Sequence, residues 1–287
     1  MSKPVCLVTA PVATRSGYGA HGRDICRALI KLDKYDVKIW PVRWGNTPMN
    51  ALNKDDPNDK MIIDRILPNP QLPKQPELHI HIVIPNEFQT FGKYNIGITA
   101  GLEMTACPPG WLEGMNKMNM NIVPSTFVKD MLTNIKFDIN NEQDGKKVGE
   151  LKSDKPIEVL FEGTDTNIFK KTNEFSKEFV DEMKKVKESF NFLYVGHWLQ
   201  GDLGKDRKDT GMMLKVFLET FKNLKQKPGL IMKTSGATYS VIDRETMLNK
   251  IQIIKDMVKG DLPNIYLLHG DFDDEEMNQI YNHPKVK

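Results

Sequence analysis

Short apolar runs rich in β-branched residues recur along the whole chain with helix-period patterns between them. This alternation constrains the fold more than any other feature. The runs lie at 5–10, 37–41, 78–84, 95–100, 120–124, 157–162, 191–195, 230–234 and 265–269. Helix patterns stand between them at 20–32, 109–117, 126–135, 211–224, 243–258 and 273–281. In the fourth of these, Met213, Val216, Phe217, Phe221 and Leu224 recur at three- and four-residue spacing, which is one face of a helix. Strands alternating with helices of this length predict βαβ units, parallel sheets and an α/β fold.

Two segments break the rhythm. Residues 46–76 are rich in Pro, Asn and Asp and read as a long loop with about one turn of helix, and 140–155 is polar and reads as a mobile excursion. Residues 163–190 are charged, with one amphipathic helix around 178–187, and read as a connection. The expected organisation is an N-terminal Rossmann-like domain over 1–165, a linker over 166–190 and a second domain over 191–287.

Composition excludes several classes. The 287 residues are 39% apolar, which is enough for packed cores. Forty Lys and Arg face 38 Asp and Glu in interleaved order, so no basic footprint for nucleic acid is present. A phosphate-sized site needs only one or two cations and stays open. Cys6, Cys26 and Cys107 are scattered without CxxC spacing, which excludes a disulfide scaffold and a thiolate zinc site and fits a reducing, cytoplasmic setting. No apolar run approaches the roughly 18 residues of a membrane span, so the chain reads as soluble, with peripheral membrane attachment as the variant.

The sharpest local signal is SGYGAHGRDICRAL at 16–29, where Gly17, Gly19 and Gly22 match G-x-G-x-x-G after a strand and open a helix. A dinucleotide site would place its first glycine at the strand end and an acidic residue at the close of the second strand. Here residues 11–16 intervene, and the second strand closes Ile39-Trp40-Pro41-Val42-Arg43 with no carboxylate. A nicotinamide enzyme is therefore excluded. Two readings remain: a turn that presents backbone N–H groups to an anion or a sugar, or a turn that merely needs positive φ.

The second signal is FLYVGHWLQGDLGKDRKDTGMML at 192–214, in which Arg207 and Lys208 stand just before a helix. A guanidinium fork, an ammonium and a positive helix end together suit a diphosphate. The alternative is a solvated cluster neutralised by Asp202, Asp206 and Asp209. His79 and His81 share one face of a strand without an identifiable third ligand, so packed histidines are expected rather than a metal site. Asp271-Phe272-Asp273 spells D-x-D, but the acidic run 273–276 heads a helix, where capping and the helix dipole account for it.

Taken in order, the Gly-rich turn, ITAGLEMTACPPGW, NIVPSTFVKDML, EGTDTNIF, FLYVG with RKD and FLETF, and IYLLHGDFDDEEMNQIY resemble the family 4 (group 1) glycosyltransferases of the GT-B fold along nearly the whole chain. The pattern from Glu103 to Trp111 and the Arg-Lys-Asp triplet resemble one branch of that family. The resemblance implies two Rossmann-like domains, the first for an acceptor and the second for a nucleotide-sugar. It implies retention of anomeric configuration, no dedicated metal and no cofactor beyond the nucleotide-diphosphate sugar used as substrate. Gly17 and Gly19 would lie near the donor phosphates or the transferred sugar, and Gly196 would let the donor approach the backbone. Thr234, Ser235 and Gly236 would line the nucleotide pocket. Arg207 and Lys208 would neutralise the leaving diphosphate as charge develops on it.

Two departures from the family pattern matter. Where many relatives carry a His in the acceptor-side loop, Glu103 is the nearest polar residue, with acceptor hydrogen bonding and a structural role both open. The family's acidic loop, whose carboxylates grip the donor sugar and ribose, would follow the point where this sequence stops. The expectation is thus a truncated chain with an incomplete second domain, weak donor binding and negligible transfer. Its exposed sheet edge would pair with another copy or be covered by the linker. The acceptor class (sugar, lipid or protein) is open, and a non-catalytic nucleotide- or sugar-binding remnant of the fold is the alternative function.

Overall fold

A computed structural model of the chain describes residues 3–45, 47–69, 71–101, 105–141, 143–201, 203–236 and 238–287. The chain divides into two compact units, Met1–Gly163 and Thr164–Lys287.

The first unit runs β1 (Val5–Ala10), α1 (Gly17–Leu32), β2 (Asp36–Pro41), α2 (Pro57–Ile63), β3 (Leu78–Ile82), β4 (Tyr94–Ile98), α3 (Pro109–Lys117), β5 (Met120–Val123), α4 (Thr126–Asn134), β6 (Phe137–Asn140), β7 (Lys147–Leu151) and β8 (Ile157–Val159). Six strands form one sheet in the order β2-β1-β3-β4-β5-β8, every neighbouring pair parallel. All six residues of β1 are buried, as expected of a strand covered on both faces. Cys6, Val8 and Ala10 pack on Cys26 of α1 and on Ile39, Ile62 and Ile82. Burial pushes the Cys6 and Cys26 thiols up to about 12. A second core gathers Trp111, Leu112 and Met115 of α3 with Val128 and Leu132 of α4. Between β3 and β4 the chain makes only a 3-10 turn, Pro85–Glu87, instead of a helix.

The second unit runs α5 (Lys177–Lys184), β9 (Asn191–His197), α6 (Thr210–Phe221), β10 (Gly229–Ser235), α7 (Val241–Met257), β11 (Ile265–Leu268) and α8 (Asp274–Asn282). Its sheet is parallel, in the order β11-β10-β9. One face packs Leu230 and Met232 on Leu214 and Leu218 of α6 and Met247 and Ile251 of α7. The other packs Ile231 on Met183 and Val186.

Three expectations change. Residues 140–155, read as a mobile excursion, contain most of an antiparallel hairpin of β6 and β7, because Phe137 and Leu151 face the α3–α4 core and Lys147 pairs with Asp138 across the strands at 2.5 Å. Residues 166–190, read as a linker, belong to the second unit. The Lys170, Thr172 and Ser176 N–H groups donate to Asn278, Asn282 and Gln279, and Met183 and Val186 are buried. The start of the β9 edge, expected to be covered by that segment, is met instead by residues 285–287. Asn191 N–H donates to Lys285 O at 2.9 Å, Lys287 N–H donates to Asn191 O at 3.1 Å, and Val286 forms a parallel bridge with Asn191. The acidic run at 273–276 is a capping box, in which Glu276 N–H donates to Asp273 Oδ1 and Asp273 N–H to Glu276 Oε2. Among the described residues no helix is long and apolar enough to cross a membrane.

Candidate functional site

In open parallel sheets ligands bind outside the carboxyl ends of the strands, and in an order beginning 2-1-3 the switch point lies between β1 and β3. The loop from β1 to α1 stands at that point in the first unit. It is built from its own atoms. Thr14 is fully buried and its hydroxyl donates to Pro11 O at 2.8 Å. Arg23 donates to Val12 O and Thr14 O, each at 3.0 Å. Ser16 caps α1 by accepting the Gly19 N–H at 3.0 Å.

The three glycines have three different settings, and none has positive φ. The bland reading of a left-handed turn therefore fails. A Cβ at Gly19 would lie 2.3 Å from Thr14 O and 2.9 Å from Pro11 O, so the close approach this glycine permits is to its own loop. At Gly22 a Cβ would meet Ala10 Cβ at 3.1 Å, so this glycine seats α1 on β1. Only Gly17 has open space around it.

Tyr18, between the first two glycines, is a residue that sequence reasoning missed. Its hydroxyl lies 2.8 Å from Thr99 Oγ1 and accepts the Ala100 N–H at 3.1 Å, while its ring stacks on Trp44 at 4.2 Å. The ends of β2, β4 and the start of α1 are thereby fastened together. Glu103 lies outside the described residues.

His79 and His81 are packed histidines. Phe91 N–H donates to His79 Nδ1 and Gln89 N–H to His81 Nδ1, so both rings carry their proton on Nε2. His79 Nε2 then donates to Thr9 Oγ1 at 3.0 Å. Burial holds the two imidazoles down to about 4 and about 3, His81 also through its neighbour His79. Among the described residues no group of three or more His, Cys, Asp or Glu could hold a metal.

In the second unit several anticipated residues meet at the ends of β9 and β10. The register sets Gly196 beside Thr234 and His197 beside Ser235, and His197 Nδ1 lies 3.1 Å from Ser235 Oγ. A Cβ on Gly196 would lie 3.1 Å from Lys208 Nζ and 3.0 Å from the Tyr194 hydroxyl, so the glycine is what admits that ammonium to the strand end. The Tyr194 hydroxyl pairs with Thr210 Oγ1 at 2.7 Å, and burial raises its pKa. Thr234 Oγ1 is buried with no hydrogen-bond partner. Arg207 is exposed in the loop before α6.

Two parts of the anticipated clamp are already occupied. Asp206, 6% exposed, accepts the N–H groups of Thr210 at 3.0 Å and Gly211 at 3.3 Å, so the start of α6 is capped from within. The Gly236 N–H donates to both oxygens of Asp243, at 3.1 and 3.0 Å, and a Cβ there would lie 2.5 Å from Asp243 Oδ1. Asp243 also pairs with His269 Nε2 at 2.8 Å. Asp202, the other carboxylate considered for the cluster, lies outside the described residues. At this edge the Lys208 side chain is exposed and Gly196 half-buried, while the Thr234 hydroxyl is buried and unpartnered.

No family model matches the chain, and no curated protein matches it. Solved structures are similar in fold. One, reported as trehalose-6-phosphate from E. coli bound with UDP-2-fluoro glucose, has a TM-score of 0.50 at 13% identity, over 96% of this chain and 76% of that one. An alpha,alpha-trehalose-phosphate synthase (UDP-forming) from Burkholderia vietnamiensis gives 0.47 at 10% identity, over 98% and 75%. At these identities the likeness concerns the fold, which is that of the GT-B glycosyltransferases: α/β, with two Rossmann-like units.

Proposed function

We propose that the chain is a glycosyltransferase of the family 4 (group 1) kind, acting on a nucleotide-sugar with retention of configuration and without a dedicated metal. The observation that carries this reading is the ammonium of Lys208 held at the end of β9 beside Gly196, next to the unpartnered Thr234 hydroxyl. In this reading Lys208 neutralises the diphosphate as the glycosidic bond breaks, and Arg207 supplies a second charge. Gly196 admits the phosphates to the backbone, while Thr234 and Ser235 hydrogen-bond the nucleotide. Gly236 shapes its loop through Asp243 instead of donating to the ligand. Gly17 contacts a sugar, Gly19 shapes its own loop against Thr14 instead of meeting the ligand, and Glu103 hydrogen-bonds the acceptor. The location is cytoplasmic, in keeping with three buried free thiols.

One observation favours a non-catalytic nucleotide binder: Asp206 already occupies the N-terminal N–H groups of α6, which removes a part of the anion site. One experiment decides between them. UDP, GDP and the corresponding nucleotide-glucoses are tested for thermal stabilisation, where ligand at 100 times Kd adds about 2.7 kcal/mol. The best-bound nucleotide-sugar is then followed for hydrolysis or transfer. Stabilisation with turnover supports the transferase, stabilisation without turnover supports the binder, and no stabilisation defeats both.

A further inference from the structure

On the second face of the first unit's sheet, where the 3-10 turn stands in place of a helix between β3 and β4, lies a cavity of about 470 Å3. Its floor is Thr9 and His81, its apolar wall is Trp40 and Phe88, and its rim carries the amides of Asn86 and Gln89. We propose that this cavity binds an uncharged sugar ring, with Thr9 and His81 hydrogen-bonding ring oxygens and Trp40 lying against the carbon face.

The floor is arranged to donate. Gln89 N–H holds His81 Nδ1 as acceptor at 3.0 Å, which leaves the ring proton on Nε2, and the ring lines the cavity. Thr9 receives the His79 Nε2 proton, which leaves its own hydroxyl proton to give. The 88–91 loop therefore fixes both tautomers through two backbone N–H groups and aims two neutral donors from adjacent strands, whose register pairs Thr9 with His81. A ligand oxygen in the cavity can accept from these donors.

The remaining features choose among oxygen ligands. Glu87 and Lys117 both border the cavity and offset each other, so it offers no net charge to an ion. An aromatic wall, neutral donors and rim amides together match a ring that has an apolar carbon face and hydroxyls around its edge. The volume is in the range of small-molecule sites. The site lies in the first unit and does not depend on the nucleotide reading of the second.

The test is titration of D-glucose, and separately of sodium acetate, into the 15N-labelled chain while the Trp40 indole and the Thr9 and Gln89 amides are observed. D-glucose is expected to shift them saturably and acetate to leave them unmoved. Trp40→Ala should weaken glucose binding about fivefold or more, and His81→Phe about three- to tenfold. The double variant Asn86→Ala/Gln89→Ala alters only exposed side chains and should weaken it about threefold or more while the buried Trp111 indole signal stays in place. Absence of a saturable glucose shift, acetate binding in place of glucose, or unchanged affinity in the Trp40 and rim variants would each overturn the proposal.

Discussion

The loop after β1 and the edge formed by β9 and β10 occupy the same kind of place, the carboxyl end of a parallel strand, yet their polar groups are used in opposite ways. In the first unit nearly every group is turned inward: Gly19 against Thr14, Arg23 on two loop carbonyls, and Tyr18 on Thr99 and Ala100. In the second, Lys208 reaches the strand end from an exposed loop, and Thr234 keeps an unpartnered hydroxyl. A glycine motif is conspicuous because close packing needs it, whereas a binding edge is marked by groups left without protein partners.

The largest expected effect would break this contrast if absent. Gly19→Val drives a side chain into the Thr14 carbonyl and should destabilise the first unit by about 3 kcal/mol or more in urea unfolding. Gly17→Ala, with open space around it, should cost less than about 1 kcal/mol. A Gly19→Val chain of normal stability would mean that the glycine serves a ligand after all.

Acid sharpens the contrast. His79 and His81 are neutral when folded, down to about 4 and about 3, and titrate near 6.5 when unfolded. Between these values the unfolded chain binds more protons, so stability is complete above about pH 6.5 and is lost as pH falls towards 3. The loss should reach on the order of 3 kcal/mol per histidine. The Trp111 indole signal should therefore report opening of the first unit before Trp198 reports opening of the second. Simultaneous loss of both signals would contradict it.

At the second edge, Lys208→Ala should weaken UDP or GDP binding tenfold or more, the worth of a charged hydrogen bond of about 1.5–3 kcal/mol, and leave nucleoside binding unchanged. Arg207→Ala should cost less, since Lys208 is the cation lodged at the strand end. Calorimetry that ranks them in reverse would move the phosphates towards the loop. The smallest effect belongs to Thr234→Val. With no partner for the hydroxyl inside the protein, unfolding stability should change by less than about 1 kcal/mol, while nucleotide affinity falls a few-fold. A large loss of stability would show that Thr234 has a protein partner.

Much of the architecture could be read from local pattern, because a strand buried on both faces announces itself in six consecutive residues, as at 5–10. The hairpin of β6 and β7 escaped because its apolar residues are few and its pairing rests on Lys147 and Asp138, ordinary surface residues in isolation. The linker escaped for a related reason: its attachment uses Asn278 and Asn282, more than a hundred residues further on. At the second edge, Lys208 can be singled out from sequence because cations before a helix are a local signal. Of the partners that decide what is free to bind, Thr99 is 81 residues from Tyr18 and outside any local pattern, whereas Asp243 is only seven residues from Gly236, on the helix that follows.

The buried thiols on β1 and α1 have a practical consequence. All three cysteines lie in the first unit and none in the second. With Cys6 and Cys26 held at about 12, almost no thiolate exists in the native state near neutral pH, so an alkylating reagent must wait for the helix to lift from the strand. Under fast reclosing, the labelling rate then measures the free energy of that opening. Mass spectrometry of the labelled chain would follow one half of the molecule breathing while the other half remains chemically silent.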